Sequence, residues 1–474
     1  MNVSILNIIL IFFINEQLQA TLCPSITSWS THHALGFIAL DRHGRVLQEY
    51  QAEQLLQPAS TMKVLTATAA YQKLRHRAPF RTTLTLYGKK KGALFTGDVV
   101  LEGTGDPSFN KDRLYQLIHE LAQTGIRRIS GRIILLDRRF DQQTHFPSTV
   151  WEEQRDCYAA PISSLTYEGN CHTITLQQKQ RHVQVYPTTA DVIPHIKFKN
   201  DCHDENTSSS HHTLYGQGAH VDHDPFQPTT HLRGCLQPAT RKIKLALSQA
   251  RPITALSTAF KQQCHRAGLQ QIPHPQHRTA YQPTLPQYKQ YHVNSDTLGK
   301  LTDKLLQQSS NSIGGHLFKS LAPSPAHWHT AEEEIKKALP WLDLKYSSIV
   351  DGTGLARTNR LSARQLATHL LYQLQKPSLH TLIKKLPNSS VQLGYLSKHI
   401  RELELPFPLY AKSGYLLGVK SLVGYIDPFG TNPLIFAIIL NGGKETHNAF
   451  QELEPELLHC LNSLRHNSKN KTSV

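Results

Sequence analysis

Long hydrophobic runs are missing from most of this 474-residue sequence. Beyond the first twenty residues no apolar segment approaches the ~20 residues that a membrane-spanning helix needs. The composition therefore excludes a polytopic membrane protein, and it also excludes a collagen and a coiled coil. Cysteine is scarce, with 7 residues and no C-x-x-C pair, which excludes a short disulfide-stapled scaffold and argues against a zinc knuckle.

Acidic residues are in deficit: Asp and Glu number 35 against 51 Lys and Arg, so the net charge is +16. Such a charge suggests a nucleic-acid binder. However, the basic residues are dispersed and no recognition module is present, so we expect no nucleic-acid partner. A basic surface close to another anionic polymer, such as cell wall or lipid headgroups, is the remaining explanation.

The many histidines raise the question of a bound metal. A group of them falls in a segment without helical or strand periodicity: His211, His212, His220, His223 and His231, together with Asp222 and Asp224. Convergence on one ion does not follow from this pattern, so we predict no metal. Gly103-Thr104-Gly105 lacks the frame of a phosphate-binding loop, and we predict no other cofactor.

The first twenty residues resemble an export signal. Ile5 to Ile14 is almost continuously apolar but too short to cross a bilayer, and Leu18-Gln19-Ala20 offers a small residue for cleavage after Ala20. The usual positive segment before the apolar run is missing, and a buried first strand or helix is the alternative. We expect residues 1–20 to be a signal peptide and the mature chain to be periplasmic and soluble.

Hydrophobic patterns predict a mixture of helices and strands. The clearest are a hairpin within His33–Tyr50, a helix from Pro58 to Leu74, and a capping box at Ser362 to Gln365. Further segments predict a strand at Thr82–Tyr87 with a basic turn at Gly88–Gly92, a helix after Asp112, a helical pattern at Leu298–Leu321 interrupted near Ser309, strands at Ser421–Ile426 and Leu434–Asn441, and a final helix from Asn448 to Leu464. Ile272–Tyr291, which is rich in Pro, His and Gln, is predicted to be a crossing back to the main body. The fold class is α/β (α+β).

Three short motifs carry the chemistry. Ser60 and Lys63 share a helix face one turn apart, where a buried lysine can serve as the base for a serine nucleophile. Ser309-Ser310-Asn311 offers a hydroxyl for proton relay and an amide that could hold a substrate carbonyl. Lys412-Ser413-Gly414 offers a cation and a hydroxyl for an anionic end, and its glycine lets a substrate approach a strand edge.

In this order, S-x-x-K, S-x-N and K-[ST]-G resemble the signature of penicillin-binding proteins and serine β-lactamases. The sequence is most similar to class C low-molecular-mass penicillin-binding proteins of the penicillin-binding protein 4 type. Additional matching segments are Gly105-Asp106-Pro107, Tyr158-Ala159-Ala160-Pro161, Asp351-Gly352-Thr353-Gly354-Leu355 and Asn359-Arg360-Leu361-Ser362. The resemblance implies a transpeptidase/β-lactamase-like fold with large inserted domains. It also implies D-Ala-D-Ala carboxypeptidase or endopeptidase activity on peptidoglycan stem peptides, inhibited by β-lactams.

The resemblance also implies a role for each motif residue. Ser60 would attack the penultimate D-Ala carbonyl and Lys63 would accept its proton. Ser309 would relay a proton to the leaving amine and Asn311 would bind the acyl-side amide. The anionic end of the substrate would be held by the strand residues Lys412, Ser413 and Gly414, and the backbone N–H groups of Ser60 and Tyr415 would form the oxyanion hole.

A side-chain pocket for a diaminopimelate-type residue is implied as well, formed by Glu153, Tyr158, Arg357 and Leu417. Glu153 replaces the aspartate that is usual in this group, and Leu417 stands where a longer polar residue can occur. These differences affect the expected specificity of the pocket. Lys412-Ser413-Gly414 retains the hydroxyl of the commoner K-T-G.

The expected domains are a discontinuous catalytic domain of residues 21–86 and 285–474, an inserted domain of residues 87–171 and 250–284, and a second inserted domain of residues 172–249. Cys157 and Cys171 are the favoured disulfide, because the loop between them is short enough to close, and the family has a similar spacing. Cys202 with Cys235 is a weaker pairing. The odd count leaves at least one thiol.

Two other functions remain open: a β-lactamase or esterase that uses the same serine, and a catalytically idle relative that binds the wall. The long insertion and the absence of an acidic residue placed for water activation oppose the first. The intact Ser60, Lys63, Ser309, Asn311 and Lys412 oppose the second. Whether the protein forms a homodimer is not specified by the sequence.

Overall fold

The structure is a computed structural model, and it describes residues 23–76, 80–179, 182–187, 195–200, 219–222, 229–234, 243–249, 252–391 and 395–467. The predicted signal peptide and the Cys202–Cys235 pairing lie outside the described residues, as does most of the histidine group. No helix within these ranges is both long and apolar enough to cross a membrane.

The helices are α1 (Pro24–Ser30), α2 (Lys63–Leu74), α3 (Lys111–Gln123), α4 (Pro252–Arg266), α5 (Leu298–Gln307), α6 (Asn311–Lys319), α7 (Trp328–Ala338), α8 (Ala363–Gln375), α9 (His380–Lys384), α10 (Tyr395–Glu402) and α11 (Thr446–Asn467). The strands are β1 (Ala34–Asp41), β2 (Val46–Tyr50), β3 (Arg81–Lys91), β4 (Leu94–Gly103), β5 (Arg128–Ser130), β6 (Ile133–Leu136), β7 (Cys171–Lys179), β8 (His182–Pro187), β9 (His195–Asn200), β10 (Ala219–Asp222), β11 (Thr229–Gly234), β12 (Ile243–Ser248), β13 (Gln276–Arg278), β14 (Gln287–Asn294), β15 (Leu409–Leu416), β16 (Val419–Ile426) and β17 (Leu434–Asn441).

The chain forms two compact units. The first contains the residues up to Thr68, Thr302–Ser309 and the residues from Leu339 onward; the second contains Ala69–Leu301 and Ser310–Ala338. Helices α2 and α5 each contribute residues to both units. The domain boundaries expected from the sequence remain a prediction.

The first unit is built on a five-stranded antiparallel sheet in the order β15-β16-β17-β1-β2. Its β16 and β17 are buried along almost their whole length, since helices cover both faces. On one face Trp29 of α1 stacks on Phe450 of α11, with ring centroids 5.0 Å apart. A disulfide between Cys23 and Cys460 joins the start of α1 to α11.

The opposite face of this sheet is covered by α8. Its capping box is confirmed: the Ser362 hydroxyl accepts from the Gln365 N–H, and the Gln365 side chain accepts from the Ser362 N–H. The Tyr425 hydroxyl of β16 donates to the Leu370 carbonyl of α8, which satisfies a buried phenol. Helix α8 is therefore fixed against the sheet by the Tyr425 hydrogen bond and by its apolar face.

The second unit contains a six-stranded sheet with the path β13-β6-β4-β3-β14 and β5 paired to β4. Helices α3 and α4 bury apolar side chains in its core, among them Leu117, Ile118 and Phe260. Two three-stranded sheets belong to the same unit, β12-β7-β8 and β10-β11-β9. The disulfide Cys157–Cys171, predicted from the sequence, is present at the start of β7.

One sequence prediction in this unit was wrong. Gly88–Gly92 is not a turn as a whole, because β3 continues through Lys91 in register with β4, and Lys91 pairs with Leu94. Two strands that the sequence analysis did not assign lie within or across Ile272–Tyr291: β13 pairs with β6, and β14 pairs with β3.

Candidate active site

Ser60 lies in a 3₁₀ turn, Ala59–Met62, that leads directly into α2. Lys63, the first residue of α2, is fully buried, and its Nζ donates to Ser60 Oγ at 2.7 Å and to the Thr353 carbonyl at 2.8 Å. The spacing of three residues brings the two side chains together, as the sequence predicts. The pair has the geometry of a nucleophile and its base.

Burial lowers the pKa of Lys63 well below its ordinary value. The nearby Lys412 ammonium lowers this pKa further, whereas the carboxylate of Asp351 opposes the shift. A buried lysine with a lowered pKa can be neutral near physiological pH, which is the state that accepts a proton. The first unit therefore supplies a base beside the Ser60 hydroxyl.

The loop that receives Lys63 is organised by Asp351, which is completely buried. Its carboxylate accepts hydrogen bonds from the backbone N–H groups of Thr353, Gly354 and Ala356, and from the side chains of Thr353 and Asn359. This loop also contributes the Gly352 carbonyl, which accepts from the hydroxyl of Thr66. Asp351 thus fixes two carbonyls that hold the first turn of α2.

Lys412, Ser413 and Gly414 lie on β15, the edge strand of the first unit's sheet. Lys412 is 3% exposed, and burial lowers its pKa to about 7. Its Nζ donates to the Ser413 carbonyl at 2.8 Å. This strand therefore carries a buried amine whose charge can change near neutral pH.

Gly414 is packed against the nucleophile turn so closely that a Cβ there would overlap Ser421 Oγ, the Pro58 carbonyl and the Ala59 side chain. Ser421 lies directly opposite Gly414 on β16, and its hydroxyl donates to the Pro58 carbonyl at 2.6 Å. Glycine at this position thus allows β15 to approach the turn that carries Ser60. The sequence predicted a close approach of substrate at Gly414; the structure shows a close approach of backbone.

Tyr415 and Leu417 follow on the same hairpin, and both are exposed, by 55% and 54%. An Arg357 Nη donates to the Leu417 carbonyl at 3.1 Å. The Tyr415 ring meets the ring of His447 edge-on, with centroids 5.0 Å apart. The first unit therefore brings together Ser60, Lys63 and the Lys412 strand, and also places Arg357 beside Leu417.

Ser309 follows α5 as the last residue of its segment in the first unit, with a backbone φ of 56°. Such a left-handed conformation is uncommon for a residue with a side chain, and it breaks the helical pattern as predicted. Ser310 then caps α6 by accepting from the Ile313 N–H. The motif therefore ends one helical segment and caps the start of the next.

Asn311, Tyr158 and Glu153 belong to the second unit. There the Asn311 side-chain amide donates to the Tyr158 carbonyl at 2.8 Å. Tyr158 lies in a 3₁₀ turn that starts at the disulfide-bonded Cys157, and its ring is 45% exposed. Glu153 is half-buried in the preceding 3₁₀ turn. Asn311 and Tyr158 are thus brought together within this unit.

Asp351 and Ser421 are site residues whose roles the sequence analysis missed. The sequence analysis gives the segment that starts at Asp351 only as a match to the family. Its closely spaced Asp, Gly and Thr residues are a local signal for a turn in which a side chain accepts backbone hydrogen bonds. Ser421 has no local signal, because its partner Pro58 is distant in sequence. Among the residues that the structure describes, no group of three His, Cys, Asp or Glu side chains is suited to hold a metal ion.

Most of the chain is similar to known proteins. A family model described as the D-Ala-D-Ala carboxypeptidase 3 (S13) family matches residues 30–456. The D-alanyl-D-alanine carboxypeptidase DacB of Haemophilus influenzae is 24% identical over 420 residues, covering 86% of this chain and 85% of the relative. The D-alanyl-D-alanine carboxypeptidase of Actinomadura sp. (strain R39) is 25% identical over 420 residues, covering 82% and 74%.

The fold is also that of a known structure. The crystal structure of penicillin binding protein 4 (dacB) from Haemophilus influenzae matches with a TM-score of 0.75 at 22% identity, covering 87% of this chain and 91% of that one. The predicted α/β class and the resemblance to the penicillin-binding protein 4 type are thereby confirmed.

Proposed function

The chain belongs to the D-Ala-D-Ala carboxypeptidase 3 (S13) family and is a serine-type carboxypeptidase, and from this premise we propose that its reaction proceeds through an acyl-enzyme on Ser60. The observation that carries this proposal is the 2.7 Å hydrogen bond between the buried Lys63 Nζ and Ser60 Oγ. A neutral Lys63 accepts the Ser60 proton while Oγ attacks the carbonyl of the penultimate D-Ala. The terminal D-Ala leaves as an amine, and water then hydrolyses the ester on Ser60.

Charge is stabilised at two places in this scheme. The backbone N–H groups of Ser60 and Tyr415 hold the oxyanion, where loss of one donor typically costs ~10²–10³ in rate. Lys412, in its charged form, and the Ser413 hydroxyl hold the terminal carboxylate of the substrate. The position of both residues on β15 supports this assignment, since the edge strand leads directly to Tyr415.

The remaining motif residues act on the leaving group and on the acyl side. Ser309 relays the proton to the departing amine, and Asn311 binds the acyl-side amide. For recognition of the substrate side chain we assign Arg357 and Leu417 of the first unit, which are joined by a hydrogen bond, and Tyr158 and Glu153 of the second unit. A guanidinium and a carboxylate suit a side chain that ends in both a carboxylate and an amino group.

The substrate class is peptidoglycan stem peptides, with cross-linked peptides as a second substrate and β-lactams as acylating inhibitors. The similarity to proteins named D-alanyl-D-alanine carboxypeptidase and penicillin binding protein 4 supports this class. The disulfides Cys23–Cys460 and Cys157–Cys171 support export to an oxidising compartment, with residues 1–20 as signal peptide and the periplasm as location. Within the wall, the net charge of +16 favours approach to anionic polymers.

Acylation by a fluorescent penicillin tests the mechanism. Ser60→Ala should abolish labelling, while the exposed Ser28→Ala should label like wild type. Lys63→Met keeps the length of the buried chain but removes the base, so the acylation rate should fall ~10²–10⁴-fold, and the exposed Lys398→Met should have no effect. Labelling that persists in Ser60→Ala would show that another residue is the nucleophile.

Digestion of muropeptides followed by mass spectrometry identifies the reaction. Loss of one D-Ala from monomers measures carboxypeptidase activity, and conversion of dimers to monomers measures endopeptidase activity. Both products should vanish in Ser60→Ala. Absence of both products with the wild-type protein would favour the idle relative.

A further inference from the structure

A histidine on α6, His316, joins this helix to the segment that follows Tyr158. His316 is completely buried, so it cannot touch a substrate. Its Nδ1 lies 2.7 Å from the Ser312 carbonyl one turn earlier, and this nitrogen carries the hydrogen because a carbonyl only accepts. Its Nε2 lies 2.8 Å from the Thr166 hydroxyl and 3.1 Å from the Ser163 carbonyl. One side of the ring thus contacts its own helix, and the other contacts the segment after Tyr158.

The hydrogen bonds continue from the ring into that segment. Burial lowers the pKa of His316 to about 4, so the ring is neutral at neutral pH and its Nε2 is an acceptor. The Thr166 hydroxyl reaches both this nitrogen and the Ser163 carbonyl, at 2.8 and 2.9 Å, and its hydrogen is shared between them. Thr166 Oγ1 also accepts from Asn170 Nδ2 at 3.3 Å, and the same amide donates to the Pro161 carbonyl at 2.8 Å. His316 is therefore bonded to the middle of a segment that is braced internally.

Helix α6 contacts the same segment at its beginning through Asn311, whose side-chain amide donates to the Tyr158 carbonyl. Between these two contacts the helix approaches closely, because a Cβ at Gly315 would lie 3.0 Å from the Ile162 side chain. The disulfide Cys157–Cys171 encloses the segment at its two ends. The position of the Tyr158 carbonyl relative to α6 therefore depends on the contact that His316 makes further along.

We propose that His316 is a positioning residue, which holds the Tyr158 segment against α6 so that the Asn311 amide is oriented to bind the acyl-side amide of the substrate. This inference rests on the role proposed above for Asn311. Asn311 Nδ2 donates to the Tyr158 carbonyl, so the same bond sets the direction of Oδ1. If the segment shifts against the helix, this carbonyl moves and the amide turns with it. A displacement of about 1 Å at a binding group can cost up to ~10² in rate.

Two β-lactams isolate recognition of the acyl-side amide. Penicillin G carries a side-chain amide next to the reacting ring, whereas the penicillin nucleus without its acyl side chain has the same ring and carboxylate but no such amide. The ratio of their second-order acylation rate constants, measured with the full-length protein by competition against a fluorescent penicillin, reports on this one contact. Asn311→Ala should lower the ratio about tenfold, which corresponds to the loss of one hydrogen bond to the substrate.

Substitutions at position 316 separate the two sides of the ring. His316→Asn keeps a donor close to the Ser312 carbonyl but is too short to reach Thr166, and it should lower the ratio about as much as Asn311→Ala. His316→Gln is long enough to reach Thr166 and should keep most of the wild-type ratio. Thr166→Val, which removes the hydroxyl at nearly constant volume, should resemble His316→Asn. If the histidine only stabilised its own helix, Asn would substitute for it better than Gln, and that order would overturn the proposal.

A control and a double variant test whether the effect passes through Asn311. Phe260→Leu alters the apolar core beside α4, so it should lower thermal stability without changing the ratio. In the Asn311→Ala background, His316→Asn should not lower the ratio further, because both changes act on the same amide. An additional loss in the double variant, or an equal loss in Phe260→Leu, would show a general effect of destabilisation and contradict the proposal.

Failure of this inference is distinguishable from failure of the proposed function. If Asn311→Ala lowers the ratio but His316→Asn and Thr166→Val do not, only the role of His316 is wrong. If neither β-lactam acylates the wild-type protein, or if Asn311→Ala has the wild-type ratio, the proposed function is wrong at that point and the role of His316 falls with it.

Discussion

Asp351→Asn should destabilise the protein strongly although the two side chains have the same size. The Asp351 Oδ2 accepts from the Ala356 N–H at 2.7 Å and from the Thr353 hydroxyl at 3.1 Å. The Oδ1 accepts from the N–H groups of Thr353 and Gly354 and from the Asn359 amide, at 2.9–3.0 Å. An asparagine can keep only one oxygen in this place and presents an NH₂ group to the remaining donors.

The magnitude follows from these five bonds. A buried N–H left without an acceptor, here that of Ala356, costs about 1–3 kcal/mol. The three bonds that the amide oxygen retains become neutral, and each loses about 1 kcal/mol relative to a bond to a carboxylate. The free energy of unfolding should therefore fall by roughly 4–6 kcal/mol. Asp303→Asn is the matched control, because Asp303 is partly exposed and its pairing with Lys385 should contribute only about 0–1 kcal/mol.

Urea unfolding followed by circular dichroism measures the stability, and the pH dependence of penicillin acylation gives an independent readout. The Asp351 carboxylate raises the pKa of Lys63, so its removal should lower this pKa further. Lys63 would then be neutral at lower pH, and the acid limb of the acylation profile should move to lower pH. A destabilisation no larger than that of Asp303→Asn, or a limb that moves to higher pH, would refute the role assigned to Asp351.

Two further predictions concern buried lysines. Because burial lowers the pKa of Lys412 to about 7, its charge is present below that pH and is lost above it. The kcat/KM for a peptide with a free terminal carboxylate should therefore fall above pH ~7, roughly tenfold per pH unit, and a peptide amidated at this end should not show the fall. The same decline with both peptides would contradict binding of the carboxylate by Lys412. In the second unit, Lys319 is fully buried and ion-paired with Asp141, so Lys319→Met should cost about 3–5 kcal/mol by leaving Asp141 without its ammonium. The exposed Lys337→Met should not change thermal stability, and an equally stable Lys319→Met would contradict this prediction.

Local signals were sufficient to predict several elements. The hairpin of β1 and β2, the capping box at Ser362 and the break between α5 and α6 are each specified by residues within a few positions of one another. The Cys157–Cys171 disulfide is local in the same sense. The Cys23–Cys460 disulfide was not predicted, because its two cysteines are 437 positions apart and approach only after α1 and α11 pack. Strand β14 was missed for a similar reason, since its antiparallel partner β3 is distant in sequence and most of its side chains are exposed.

The motifs predicted which residue types would be present at the candidate site but not their protonation. A serine and a lysine three positions apart share one face of any helix. Most lysines in such pairs are nevertheless solvated and charged. Lys63 differs because the Asp351 loop and the Lys412 strand enclose it, and neither is close to it in sequence. A burial that lowers the pKa of two neighbouring amines is unfavourable for folding, since each would keep its charge in water. The five hydrogen bonds of Asp351 and the close packing at Gly414 oppose that cost, so the residues that stabilise this region are also the ones that give Lys63 its basicity. Substitutions around Asp351 and Gly414 should therefore change stability and the pH dependence of acylation together, whereas substitutions at the exposed Tyr346 should change neither.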